Sequence, residues 1–113
     1  MCGIVGVLSS ASRDGFDADE VVRHMALALR HRGPDDSGTW HDRDAGIAFG
    51  HQRLAVIDLS PAGHQPMTSA SGRFVIAFNG EIYNHLDLRH ELRQHEGSRD
   101  WRGHSDTESL LAA

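Results

Sequence analysis

The feature that most constrains the fold is the run Gly3-Ile4-Val5-Gly6-Val7-Leu8, which is uncharged, apolar and partly β-branched, between Cys2 and Ser9. Such a run suits a buried strand, because β-branched side chains keep their preferred rotamers on a pleated surface. A buried strand needs a layer to cover it. Asp17 and Glu20 stand three apart ahead of Val21, Val22, Met25, Ala26 and Leu29. This is a capping-box pattern followed by one apolar stripe, and it predicts a helix from about residue 18 to 30. His31-Arg32-Gly33-Pro34-Asp35-Asp36 stops that helix, since proline disfavours helical geometry in the residue before it and glycine permits the turn.

Further along, residues 39–41 and 46–49 read as a hairpin across 42–45, and 53–58 as a further strand in which Leu54, Val56 and Ile57 supply β propensity. Residues 59–72 carry Pro61, Gly63, Pro66 and Gly72 and form the longest expected loop. The apolar stretch 73–78 reads as a strand covered on both faces, running straight into Asn79-Gly80-Glu81. Asn84 opens a second helix with a weak apolar face that ends near Gly97. Ser105 and Glu108 repeat the capping pattern before Leu110 and Leu111. Helices are thus interleaved with hairpin-like strands. The third helix is barely two turns long at Ala113, so the expectation is that residues 1–113 form the front part of a larger domain.

Charge narrows the function. Eleven Lys and Arg against sixteen Asp and Glu give a net charge of −5, which argues against a nucleic-acid partner because phosphate binding needs clustered positive charge. No apolar run approaches the ~20 residues that span a bilayer, and the first eight residues lack the basic flank of a secretory signal. A cytoplasmic location is therefore expected, without a membrane partner. Nine histidines show no paired ligand spacing, and no metal site is expected.

The chain has one cysteine, so its thiol either packs or reacts. Position two matters, because removing the initiator methionine makes one residue carry both a nucleophile and a base. An α-amine is basic enough near neutrality to take a thiol's proton, directly or through one water, without a histidine partner. By itself the position is weak evidence, since free cysteine is commonly a core residue.

Five motifs change the weighing. Cys2-Gly3-Ile4, Arg32-Gly33-Pro34-Asp35, His51-Gln52-Arg53-Leu54, Asn79-Gly80-Glu81-Ile82-Tyr83-Asn84 and Ser105-Asp106-Thr107-Glu108 resemble, in order and spacing, the class II glutamine amidotransferase domain of glutamine-hydrolysing asparagine synthetases. The resemblance implies an α+β fold, a four-layer α/β/β/α sandwich of the N-terminal-nucleophile hydrolase type whose first half the order of helices and strands fits, represented here by an incomplete N-terminal part. It implies that Cys2 attacks the side-chain amide of glutamine and that ammonia passes to a C-terminal synthetase domain, absent from these residues, where ATP and magnesium serve asparagine biosynthesis. No cofactor is implied for residues 1–113, and a homodimer is open for the full-length protein.

Carried over residue by residue, the family pattern gives Arg53 the α-carboxylate of glutamine, a pairing that suits a planar guanidinium. The backbone of Leu54, Ala55, Val56 and Ile57 would border the same ligand. Asp106 would take the α-ammonium with help from Glu81. The Asn79 side chain and the Gly80 backbone N–H would stabilise the oxyanion. Each has a plainer role: Arg53 a solvated strand-edge cation, Asp106 an acid in a helix's first turn, Glu81 and Asn79-Gly80 ordinary turn residues. Arg32-Gly33-Pro34-Asp35 reads as a supporting loop, and His51 is left outside the site because the mechanism needs no imidazole. Residues 58–67 and 101–106 look like the branch associated with bacterial polysaccharide genes, so amidation of a sugar acid is an alternative. A glutamine-binding or scaffolding module with Met1 retained and an inert thiol is another.

Overall fold

The computed structural model describes residues 1–9, 17–97 and 100–113. Its elements run β1 (Gly3–Leu8), α1 (Ala18–Ala28), β2 (Asp36–Asp42), β3 (Ile47–Arg53), β4 (Met67–Thr68), β5 (Val75–Ile76), α2 (His85–Glu96) and α3 (Asp106–Ala112), a small α+β arrangement. Short 3-10 turns at Arg30–Arg32 and Pro61–Gly63 complete it.

The main sheet has the order β1-β3-β2, with both pairings antiparallel. Gly3 opposes Gln52 and Leu8 opposes Ile47, while Asp36 opposes Arg53 and Asp42 opposes Ile47. The hairpin is longer than expected, because its turn needs only the Asp42 carboxylate, which accepts from the Asp44 and Ala45 amides at 3.0 Å each, and Gly46 at φ 67°.

Helix α1 covers one face of this sheet. Asp17 caps it through bonds from the Asp19 and Glu20 amides, and its stripe buries Val22 and Ala26. Gly50 allows the close approach: a Cβ there would lie 2.7 Å from Val5 Cγ2 and 2.9 Å from Val22 Cγ1. The helix stops two residues short of expectation and passes through Leu29 into the 3-10 turn. On the opposite face, Trp40 and Phe49 are register partners and stack at 5.7 Å, and Leu8 is 79% exposed.

One expected strand does not form and another is cut to two residues. Residues 54–58 are not a strand, because β3 ends at Arg53 and the chain folds back around that side chain, whose guanidinium donates to the Asp58 and Ser60 carbonyls. Of the stretch 73–78, only Val75 and Ile76 pair with β4, and they are half-buried with Phe74 exposed, so the strand is not covered on both faces. Phe78 leaves the ladder because side chains hold its amide and carbonyl.

Helix α2 follows Asn84 and ends at Gly97, whose φ of 81° suits the residue without a Cβ. Ser105 caps α3 through the Thr107 amide, but Glu108 does not close a capping box. Its carboxylate instead accepts from the Arg102 and Gly103 amides and meets Arg89 at 3.4 Å. Among the described residues, no helix is long and apolar enough to cross a membrane.

Candidate active site

A cleft of about 340 Å³ opens where the ends of β1 and β3 meet the segment after β5 and the start of α3. Nine of the ten candidate residues line it: Cys2, Arg53, Leu54, Val56, Ile57, Asn79, Gly80, Glu81 and Asp106. Ala55 is the exception. Its amide donates to the Asp35 carboxylate at 2.8 Å, so Arg32-Gly33-Pro34-Asp35 supports the cleft wall from behind. Arg32 adds a bond from Nε to the Cys2 carbonyl at 3.2 Å.

Cys2 lies at the start of β1, beside the end of its antiparallel partner β3. Its Sγ accepts from the Leu54 amide at 3.3 Å and stands 3.7 Å from the Leu54 carbonyl. These contacts hold the sulfur at the cleft wall, half-buried. Met1 is 79% exposed and also borders the cleft.

Arg53 is 8% exposed and is not a solvated strand-edge cation. Nη1 donates to the Ser60 carbonyl at 3.1 Å and Nη2 to the Asp58 carbonyl, which leaves part of the five-donor guanidinium for a ligand. Gly63 packs against it, and a Cβ at that position would overlap Nη2. Below the loop, Asp58 accepts from the Ser60 amide at 2.8 Å and the His104 amide at 2.7 Å. Burial raises its pKa, but the Ser60 hydroxyl, the His104 and Ser60 amides and the Arg53 charge together overcome that and hold it at about 2.

Asp106 is buried in the first turn of α3 and does two things at once. Its Oδ1 accepts from the Thr107 amide and its Oδ2 from the Ile82 amide, both at 2.8 Å, so the acid ties α3 to the loop carrying residues 79–82. Asn79, Gly80 and Glu81 are exposed between that anchor and Phe78. Asp58, Gly63, Gln65, Phe78, Ser105 and Thr107 also line the cleft; none of them was expected in the site, although Ser105 and Thr107 flank Asp106 in its motif and Asp58, Gly63 and Gln65 fall in the stretch 58–67. Gln65, in a Gly/Pro-rich loop, carried no local signal. Gly63 carried a turn signal, and Ser105 a cap signal besides its place in the fifth motif.

The arrangement places a thiol, a half-satisfied guanidinium, a carboxylate and a side-chain amide around one small space. Among the described residues, no group of three or more His, Cys, Asp or Glu side chains is placed to hold a metal ion.

Comparison with known proteins agrees with the motif pattern. The family described as glutamine amidotransferase domain matches residues 1–113. A Mycobacterium tuberculosis protein named putative asparagine synthetase [glutamine-hydrolyzing] is 41% identical over 99% of this chain and 19% of its own length. Asparagine synthetase [glutamine-hydrolyzing] 1 of Bacillus subtilis is 41% identical over 99% of the chain and 17% of its own length. The Arabidopsis thaliana protein of that name is 45% identical over 85% and 16% respectively. The chain thus spans between 16% and 19% of the length of these curated relatives.

Proposed function

The chain belongs to the glutamine amidotransferase domain family, and from that premise we propose that Cys2, freed of Met1, hydrolyses the side-chain amide of glutamine to supply ammonia. The reading is carried by one observation: Cys2, Arg53, Asn79, Gly80 and Asp106, drawn from separate parts of the chain, border a single cleft.

In this mechanism the α-amine of Cys2 takes the thiol proton and the sulfur attacks the amide carbon. The oxyanion that forms is held by the Asn79 side-chain N–H and the Gly80 backbone N–H. Collapse of the tetrahedral adduct expels ammonia, protonated by the same amine, and water then cleaves the thioester to glutamate. Arg53 binds the α-carboxylate with the donors its carbonyl contacts leave over, beside the main chain of residues 54–57. Asp106 and Glu81 receive the α-ammonium. Asp106 keeps lone pairs for that role, since each of its oxygens accepts one amide.

The fold we assign is the front half of a four-layer α/β/β/α sandwich. Support comes from the sheet face opposite α1, where Ile4, Leu8, Trp40 and Phe49 offer apolar surface suited to a second sheet. The protein reads as a cytoplasmic glutamine-hydrolysing asparagine synthetase, with ATP and Mg²⁺ serving a synthetase domain to which none of these residues is assigned. The names of the relatives favour asparagine over an amidated sugar acid.

The test is ammonia release from glutamine by the intact protein and its Cys2→Ser variant, together with the mass of the N-terminal peptide. Loss of release and an N-terminus beginning at Cys2 are expected. Undiminished release by the variant, or retained Met1 in an active preparation, would refute the reading.

A further inference from the structure

Phe78 immediately precedes Asn79-Gly80, and both of its main-chain polar groups are bonded to buried side chains from elsewhere in the chain. Its amide donates to Gln65 Oε1 at 2.6 Å, and its carbonyl lies 3.1 Å from His51 Nε2. A carbonyl only accepts, so the His51 proton resides on Nε2. Gln65 is itself fixed, because its Nε2 donates to Thr107 Oγ1 at 3.2 Å, next to Asp106. His51 is fully buried, and Gln65 is 6% exposed. At the far end of the loop, Asp106 holds the Ile82 amide. The three exposed residues 79–81 are therefore suspended between two buried anchors.

Nothing in a local turn requires this. An Asn-Gly pair in a solvated turn samples several orientations, whereas oxyanion donors act only when aimed before the charge develops. His51 also lies two residues before Arg53 on β3, so one strand sets both the loop anchor and the guanidinium. Burial lowers the His51 pKa, although its bond to the Phe78 carbonyl and the Asp36 charge act the other way, so the ring bonds Phe78 as a neutral donor. Nδ1 has no hydrogen-bond partner among the described residues. This leaves the Phe78 contact as the polar function of the side chain.

We propose that His51 and Gln65 are positioning residues that brace the Phe78 main chain and so aim the Asn79 side chain and the Gly80 amide at the oxyanion. The proposal rests on the glutaminase reading and extends it to two residues that need not touch the reacting atoms. A brace of this kind acts on the transition state. It therefore differs from a residue that merely keeps the domain folded, which would affect every property of the site.

The experiment measures glutamine hydrolysis by the intact protein for His51→Asn, His51→Gln and Gln65→Met. Asparagine is too short to reach Phe78, whereas glutamine places an N–H near the position of Nε2. With misaimed donors, His51→Asn and Gln65→Met should lower kcat by ~10²-fold with KM for glutamine within about threefold. His51→Gln should recover most of the loss. Binding of glutamate γ-semialdehyde, which forms a tetrahedral adduct with the thiol, should weaken in step with kcat. Alkylation of Cys2 by iodoacetamide, which creates no oxyanion, should keep its rate.

Unchanged kcat in both disruptive variants overturns the proposal, as does a parallel fall in kcat, semialdehyde binding and alkylation. Failure of the underlying reading looks different, because ammonia release would then survive Cys2→Ser whatever happens at His51.

Discussion

Replacing Asp58 with asparagine tests whether the loop behind Arg53 is held by charge. The carboxylate is 5% exposed; burial alone would raise its pKa, yet its hydrogen bonds and Arg53 bring it from 3.8 to about 2. A carboxyl whose pKa is lower folded than unfolded stabilises the fold above the unfolded value and loses that effect as pH falls through the folded one. At ~1.36 kcal/mol per pKa unit, the contribution is about 2 kcal/mol at neutral pH, and about half of it remains at pH 3. Asparagine keeps one acceptor oxygen but turns an amide NH₂ toward either the Ser60 or the His104 N–H, leaving donor against donor at a further cost of ~1–3 kcal/mol. Urea denaturation followed by Trp40 and Trp101 fluorescence, at steps from pH 7 to pH 2, measures the difference. The gap between wild type and Asp58→Asn should narrow by about 1 kcal/mol by pH 3 and by about 2 at pH 2. A gap that stays constant across that range would refute the charge argument.

Three further outcomes follow from the same geometry. Arg53→Lys cannot span the Asp58 and Ser60 carbonyls and still meet a carboxylate, so KM for glutamine should rise by roughly 10–10²-fold while kcat stays within about threefold in steady-state ammonia assays. Gly50→Ala presses a methyl against Val5, Val22 and Ala26 on a central strand that cannot retreat, and should cost ~1–3 kcal/mol in chemical denaturation. Arg89 donates to the Ser109 hydroxyl and to the Gly103 and Ser105 carbonyls, and its guanidinium lies 4.0 Å from the Trp101 ring centroid. Arg89→Met removes these donors and one of two cations at Glu108, whose carboxylate keeps the Arg102 and Gly103 amides and Arg102 Nε, so a loss of ~1–3 kcal/mol is expected, read by thermal or urea unfolding.

Residue order alone determined the features governed by near neighbours. The caps at Asp17 and Ser105, the stop at Gly97 and the stripe of Val22 and Ala26 all form between residues a few positions apart. Strand content was legible where neighbouring residues decide it, as in the apolar, β-branched run of β1 and the β2-β3 hairpin. It failed at 54–58 and at most of 73–78, where side chains from elsewhere claim the backbone groups a ladder would need. The candidate residues could be named from spaced motifs, yet their convergence on one cleft, and the exclusion of Ala55 from it, depended on how the sheet meets the start of α3. Glu108 shows the divide most plainly: its spacing from Ser105 spells a capping box, but Arg89, Arg102 and Gly103 take its carboxylate instead. Gln65 bonds partners 13 and 42 residues away, a distance at which local propensity carries no information. Only the packed chain decides which polar groups lose water together and must therefore satisfy one another.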